Sequence, residues 1–180
     1  AVNNLLVEEG RPQQPFSSLR PHTSQGVRGL LGQGFGIDSA HREYERLAAR
    51  FLAIYAGQLC DLSRLFDGIP DLLDALESRG IAWGIVTNKR ARYTEPLVAA
   101  LGLTPRTRCV VSGDTTAEAK PSPLPILHAC RLLNVPPGRN LHIGDSENDI
   151  LSARAAGSPT FCVPYGYNEG VPIAQFAPER

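Results

Sequence analysis

The first 66 residues place their hydrophobic side chains at the three- and four-residue spacing of amphipathic helices. The spacing predicts three helices, the longest running from about 39 to 62. The residues predicted to face a core are Val2, Leu5 and Leu6 in the first helix, Val27, Leu30 and Leu31 in the second, and Leu47, Phe51, Ile54 and Tyr55 in the third. Glycines at 32, 34 and 36 are expected to end the second helix. Residues 16–22 lie among prolines and are predicted to form a loop.

From about residue 67 the pattern changes to short apolar strands that alternate with amphipathic helices. The predicted strands cover 81–87, 108–113, 140–144 and 159–165, with helices before the first strand and between the others. Such alternation is typical of a parallel sheet with helices on both faces. We therefore expect an α/β protein in which a helical segment, 1–66, precedes a parallel-sheet segment, 67–180.

Composition narrows the classes of partner. The 180 residues include 18 Lys and Arg against 18 Asp and Glu, a formal net charge of +0, so no global charge favours nucleic acid or an anionic membrane. No apolar run approaches the roughly 18 residues of a spanning helix. A cytoplasmic protein without nucleic-acid or membrane partners, monomeric or homodimeric, is expected. The four cysteines contain no CxxC pair and are predicted to be reduced.

Polar residues lie at the ends of three predicted strands or in the loops that follow them. Thr87 and Asn88 end the first strand, Lys120 precedes a proline in the sequence AKPSP, and Asp145 and Asp149 lie in GDSENDI. Ligands of open α/β sheets bind at the carboxyl ends of the strands, where a hydroxyl and N–H groups suit phosphate and carboxylates suit Mg²⁺. Taken singly, each cluster is also compatible with a helix cap or a solvated surface residue.

Together these motifs resemble those of one family. IVTNK, AKPSP and GDSENDI resemble the second, third and fourth motifs of the haloacid dehalogenase superfamily of phosphohydrolases, and 1–66 resembles its four-helix cap. YGYNEG (165–170) and VSGDT (111–115) resemble the phosphoglycolate phosphatase branch. The resemblance implies a Rossmann-like parallel sheet with an N-terminal helical cap.

The resemblance also implies roles for particular residues. Thr87 and the backbone of Asn88 would bind the phosphoryl group, Lys120 would bridge that group and the nucleophile, and Asp145 and Asp149 would hold Mg²⁺, Asp145 more directly. Two residues, Asp114 and Ser146, are further candidates for a place near the metal. Four cap residues are candidates for selecting the substrate: Arg20, Ser24, Arg28 and Arg64.

The family's first motif, DxDxT or DxDGT, is absent from these 180 residues. That motif carries the Asp nucleophile and the Asp general acid, on a strand central to the family's sheet. We therefore expect the natural protein to be longer and this chain alone to be inactive. We also expect two inner strands to keep unpaired edges.

The function implied is Mg²⁺-dependent hydrolysis of a small phosphorylated metabolite through an aspartyl-phosphate, with 2-phosphoglycolate favoured. Three alternatives remain open. They are a phosphatase of sugar phosphates such as a phosphorylated amino sugar, a phosphosugar mutase, and a non-catalytic phosphate-binding or regulatory module.

Overall fold

A computed structural model describes residues 1–167 of the chain. These residues form two compact units. The helical unit comprises Ala1–Gln58 together with residues 163–167, and the α/β unit comprises Leu59–Cys162. The last three residues of the YGYNEG motif lie outside the described part.

The helical unit contains α1 (Val2–Glu8), α2 (Phe16–Leu19), α3 (Gly26–Phe35), α4 (Tyr44–Gly57) and a 3₁₀ turn at Arg20–His22. Its core is built from the side chains that the helical spacing singled out, together with apolar residues from the turns. The buried members are Val2, Leu5, Leu6, Leu19, Leu31, Phe35, Ile37, Leu47, Ala48 and Phe51. Each helix is thus held by one apolar face.

Three details of the helical unit differ from the sequence expectation. Residues 16–22 are helical rather than a loop, because their prolines occupy positions at or near a helix start, where the missing N–H costs nothing. Gly34 lies inside α3, where its missing side chain allows Val2 to approach. Only Gly36 ends that helix, with a φ of 70°. The longest helix begins at Tyr44, not near residue 39.

The α/β unit alternates helices and parallel strands as expected. Its elements are α5 (Ile69–Ser78), β1 (Ile85–Val86), α6 (Ala91–Ala100), β2 (Val110–Val111), α7 (Leu124–Leu133), β3 (His142–Gly144), α8 (Glu147–Ala156) and β4 (Thr160–Cys162), with a 3₁₀ turn at Pro137–Arg139. The strands are shorter than predicted, although backbone bonds such as Arg108 N to Trp83 O extend the pairing beyond β1 and β2.

Strand pairing forms two parallel pairs rather than one sheet. β1 pairs with β2, Ile85 facing Val110, and β3 pairs with β4, Ile143 facing Phe161. Within the described residues β1 and β3 therefore each have one hydrogen-bonded neighbour, in agreement with the expected unpaired edges. Helices α7 and α8 pack together through Ile126, Cys130 and Ala153.

The four cysteines are free thiols, as predicted. Burial raises the pKa of Cys109, with a smaller contribution from Cys130, and burial also raises the pKa of Cys130 and of Cys162. These thiols therefore favour the protonated, unreactive form. Across residues 1–167, no helix combines the length and the apolar character that crossing a membrane requires.

Candidate functional site

The loop after β1 begins with Thr87 and Asn88. Thr87 continues the strand pairing through its N–H, which donates to Val111 O at 2.9 Å, and its Oγ1 accepts a bond from Lys89 N at 3.1 Å. The hydroxyl therefore shapes the turn from β1 towards α6. Asn88 is solvent-exposed at the tip of this loop.

The loop after β2 supports the loop after β1. Gly113 N donates to Lys89 O at 2.9 Å, and a Cβ on Gly113 would lie only 2.3 Å from Asn88 O. Asp114 Oδ1 accepts a bond from Ala91 N at 2.8 Å, at the first residue of α6. Asp114 thus satisfies an N–H that the helix itself leaves unpaired. Its predicted place near a metal stays a prediction.

Lys120 is buried, with 9% of its side chain exposed, and it is held at both ends. Its Nζ donates to Val86 O at 2.9 Å and lies 2.5 Å from Asp149 Oδ1. Its backbone exchanges two bonds with the Asn88 amide, at 2.8 and 2.9 Å. A buried ammonium needs such partners because desolvation of an unpaired charge is costly.

Asp149 is the most heavily bonded side chain of the site. Oδ1 faces Lys120 Nζ and, at 3.2 Å, His142 Nε2. Oδ2 accepts bonds from Ser146 Oγ at 2.7 Å and from the N–H groups of Asp145 and Ser146, both at 3.2 Å. Both carboxylate oxygens therefore already accept bonds from protein donors.

The environment of Asp149 sets its ionisation. Burial acts to raise its pKa, but the hydrogen bond with His142, the charge and bond of Lys120, and the Ser146 bond outweigh burial, so the pKa lies well below its usual range. The carboxylate is therefore charged at neutral pH, as its pairing with the ammonium requires.

Local sequence explains why Asp149 sits there. Ser146 and Asp149 form a capping box at the start of α8, in which each side chain satisfies an N–H of the other residue. Gly144 is needed at the end of β3 because a Cβ at that position would lie 2.3 Å from Asp149 Cβ. That Ser146 lies near a metal stays a prediction, as does metal binding by Asp149.

Asp145 follows β3 directly, and its N–H points to Asp149. Among residues 1–167 no group of three or more His, Cys, Asp or Glu side chains is arranged to hold a metal ion. Mg²⁺ characteristically takes only one or two protein carboxylates and completes its shell with water and phosphate oxygens. The Asp145 carboxylate at the end of β3 could therefore serve as one ligand of Mg²⁺. The described residues supply only part of such a site.

The structure thus brings the three predicted clusters together. An unbroken chain of bonds leads from Asn88 to Lys120, from Lys120 to Asp149, and from Asp149 to Asp145. The contribution of His142 to the site was missed, since its position in a strand predicted only that it packs. It is indeed buried, at 9% exposed, but it also faces the carboxylate.

The candidates for substrate selection are more dispersed. Arg20 is bonded to Tyr165 O at 2.8 Å, and its guanidinium carbon lies 4.8 Å from the centre of the Tyr167 ring, all within the helical unit. Ser24 and Arg28 are exposed in that unit, and Arg64 is exposed in the α/β unit. The part that these four residues play in substrate selection stays a prediction.

Comparison with known proteins gives consistent matches. The model of the haloacid dehalogenase-like hydrolases matches residues 2–163. N-acetylmuramic acid 6-phosphate phosphatase of Pseudomonas aeruginosa is 42% identical over 163 residues, which are 91% of this chain and 72% of that protein. Phosphoglycolate phosphatase of Thiobacillus denitrificans is 38% identical over 179 residues, covering 97% and 79%.

Solved structures agree with the sequence relatives. The crystal structure of a predicted phosphoglycolate phosphatase from Haemophilus somnus superposes with a TM-score of 0.85 at 28% identity, covering 98% of this chain and 82% of that one. That of a β-phosphoglucomutase-like protein from Thermotoga maritima superposes at 0.71 with 19% identity, a likeness of fold alone.

Proposed function

The chain belongs to the haloacid dehalogenase-like hydrolase family, and we propose that its substrate is a small phosphorylated metabolite, 2-phosphoglycolate being favoured. Its phosphatase relatives match it along nearly its whole length, so by family it belongs to the phosphoric monoester hydrolases. The observation that carries the proposal is the buried Lys120, fixed between the end of β1 and Asp149.

The proposed binding site uses groups at the carboxyl ends of the strands. The Thr87 hydroxyl and the N–H groups of the loop after it would donate to phosphate oxygens, and the Lys120 ammonium would offset their negative charge. Asp149 already neutralises part of the charge of this ammonium, so the empty site would not carry an uncompensated positive charge. The remaining positive charge would still favour an anion, and this moderate attraction suits a ligand that must both bind and dissociate.

Mg²⁺ is the metal we propose, with Asp145 supplying a carboxylate. When bound, the ion would add positive charge beside the transferring phosphoryl group. We assign Asp149 mainly to Lys120, since both of its oxygens already accept bonds from protein donors. A carboxylate nucleophile from a DxDxT motif is not among these 180 residues. We therefore propose that this chain alone binds phosphate but does not complete hydrolysis.

The direct test measures binding and turnover separately. Inorganic phosphate is titrated calorimetrically into the 180-residue chain and into Lys120→Met, which keeps the apolar stem but removes the charge. We expect the variant to bind at least about tenfold more weakly, the loss of one charged hydrogen bond. Lys89→Met, a charge-matched change at the chain's other lysine, is the control.

Turnover of 2-phosphoglycolate with Mg²⁺ is followed by phosphate release. No turnover above background is expected from the chain. Release that scales with its concentration and disappears in Lys120→Met would refute the proposed inactivity. Equal phosphate affinity in the chain and in Lys120→Met would refute the proposed phosphate site.

A second candidate substrate is a phosphorylated amino sugar. It is supported by the 42% identity to N-acetylmuramic acid 6-phosphate phosphatase. Competition with phosphate separates the two candidates. N-acetylmuramic acid 6-phosphate that displaces phosphate at lower concentration than 2-phosphoglycolate would reverse our preference.

A further inference from the structure

The side chain of Asn88 makes a contact that phosphate binding does not require. Its Nδ2 donates to Lys120 O at 2.8 Å, and its Oδ1 accepts from Lys120 N at 2.9 Å. The two residues are 32 positions apart, so the contact joins two separate loops. Asn88 therefore holds the backbone of Lys120 by two bonds that close a ring.

Only a primary amide of this length can make both bonds. Lys120 presents one donor and one acceptor, and the Asn side chain offers the complementary acceptor and donor in one plane. An aspartate would retain the bond to Lys120 N but would place a second oxygen against Lys120 O. An alanine would make neither bond. The residue type is thus matched to a backbone partner rather than to an anion.

The other end of Lys120 is fixed by the same loop. Its ammonium donates to Val86 O at 2.9 Å. Val86 and Asn88 are the two neighbours of Thr87, so both ends of the lysine are bonded to the residues that flank the candidate phosphate-binding hydroxyl. The position of the ammonium relative to Thr87 is therefore set within one three-residue segment.

We propose that the side chain of Asn88 positions Lys120 and thereby fixes the place of its ammonium relative to the Thr87 hydroxyl. The importance of this placement for phosphate binding rests on the function proposed above. The role of the Asn88 backbone N–H is separate, because every side-chain substitution except proline retains that group.

The chain offers a sensitive readout because it contains two lysines, Lys89 and Lys120. Lysine labelled with ¹³C at Cε gives two signals, which Lys89→Arg assigns. An immobilised lysine shows two distinct Hε shifts, whereas a mobile one shows a single averaged shift. We expect Lys120 to show distinct shifts in the wild type and to approach an average in Asn88→Ala. The near-isosteric Asn88→Asp should change the signal in the same direction.

A second readout is chemical access to Lys120. Its side chain is 9% exposed, so an amine-acylating reagent should modify it slowly. We expect Asn88→Ala to raise the rate about tenfold, as the loss of two hydrogen bonds implies. Phosphate binding measured by calorimetry should weaken by a similar factor.

The helical unit supplies a matched control. Asn3 makes the same pair of bonds, donating to Gln14 O at 2.9 Å and accepting from Gln14 N at 3.0 Å. Asn3→Ala therefore removes an equivalent contact and should leave the Lys120 shifts and acylation rate unchanged. Chemical denaturation of both variants shows whether they lose similar stability.

The outcomes separate the two proposals. Unchanged Lys120 shifts and acylation in both Asn88 variants would overturn the positioning role. An equal response to Asn3→Ala would overturn it as well, since the effect would then reflect general loosening. If the wild type fails to bind phosphate while Lys120 responds only to the Asn88 variants, the positioning role stands and the proposed phosphate site falls.

Discussion

Asp149 shows how a buried charge is accommodated in this protein. Four residues supply its five donors, and three of them lie in the segment 142–146. A carboxylate so satisfied can stay ionised in a buried place, where it in turn keeps Lys120 ionised. Its main effect on the site is therefore electrostatic, exerted through the lysine.

Replacing Asp149 by Asn should be strongly destabilising. It leaves the Lys120 ammonium buried without its counter-ion, which typically costs about 3–5 kcal/mol. Denaturant unfolding at pH 7 measures the loss. Ser152→Ala is a control, because it removes another buried bond on α8, from Ser152 Oγ to Ser122 O, without a charge.

The same pair predicts how stability depends on pH. The pKa of Asp149 is lower in the folded chain than in the unfolded one. Its stabilisation is therefore fully present above the unfolded value of about 3.9 and is lost as pH falls below it. Between pH 6 and pH 3 the wild type should lose more stability than Asp149→Asn; equal slopes would contradict the assigned ionisation.

Gly113 tests the support of the loop after β1. A methyl group there would meet Asn88 O at 2.3 Å, backbone that cannot turn aside, so Gly113→Ala should destabilise by about 1–3 kcal/mol. The Lys120 signals should also shift, because Asn88 would move. Gly57→Ala in α4, where a Cβ meets nothing within 4 Å, is the matched control and should not destabilise. A neutral Gly113→Ala would refute the tight approach.

At this scale the sequence identified which residues would meet, but not what each would bond to. The rule that ligand-binding residues lie at the ends of strands anticipated the chain of bonds from Asn88 through Lys120 and Asp149 to Asp145. It carries no information on side-chain partners. The amide of Asn88 and the ring of His142 acquire theirs from segments far away in sequence, so neither role could be deduced from local pattern.

Among the elements, helices were easier to predict than strands. Hydrophobic spacing predicted a helix before the first strand and one between the second and third strands, and α5 and α7 lie there, since each has one buried face and a clear end. The observed strands are two or three residues long, whereas the predicted strands were five to seven. Regular pairing requires neighbouring strands, and each described strand has a neighbour on one side only. Short apolar runs define where a strand lies but not how far it pairs.

Arg20, in the 3₁₀ turn after α2, contacts the segment that follows β4. Arg20→Met should remove the bond to Tyr165 O and the contact with the Tyr167 ring, so the amides of residues 163 and 165–167 should exchange with solvent faster, by about tenfold. Arg28→Met, an exposed arginine of the same unit, is the control. Unchanged exchange in Arg20→Met would show that other contacts hold the segment.

For the whole molecule, the sequence predicted a helical part and a sheet part and the family to which they belong. It placed the boundary near 66, whereas the contacts group residues from 59 onward with the sheet. It did not foresee that residues 163–167 join the helical unit. That grouping includes a bond between residues 145 positions apart, which no local pattern encodes.

The reach of Lys120 has a consequence for the order of folding. Its partners Val86, Asn88 and Asp149 lie 34, 32 and 29 positions away, so two large loops must close before the lysine has all of them. A chain that has acquired the anion site has therefore already brought the end of β1, the loop of Lys120 and the start of α8 together.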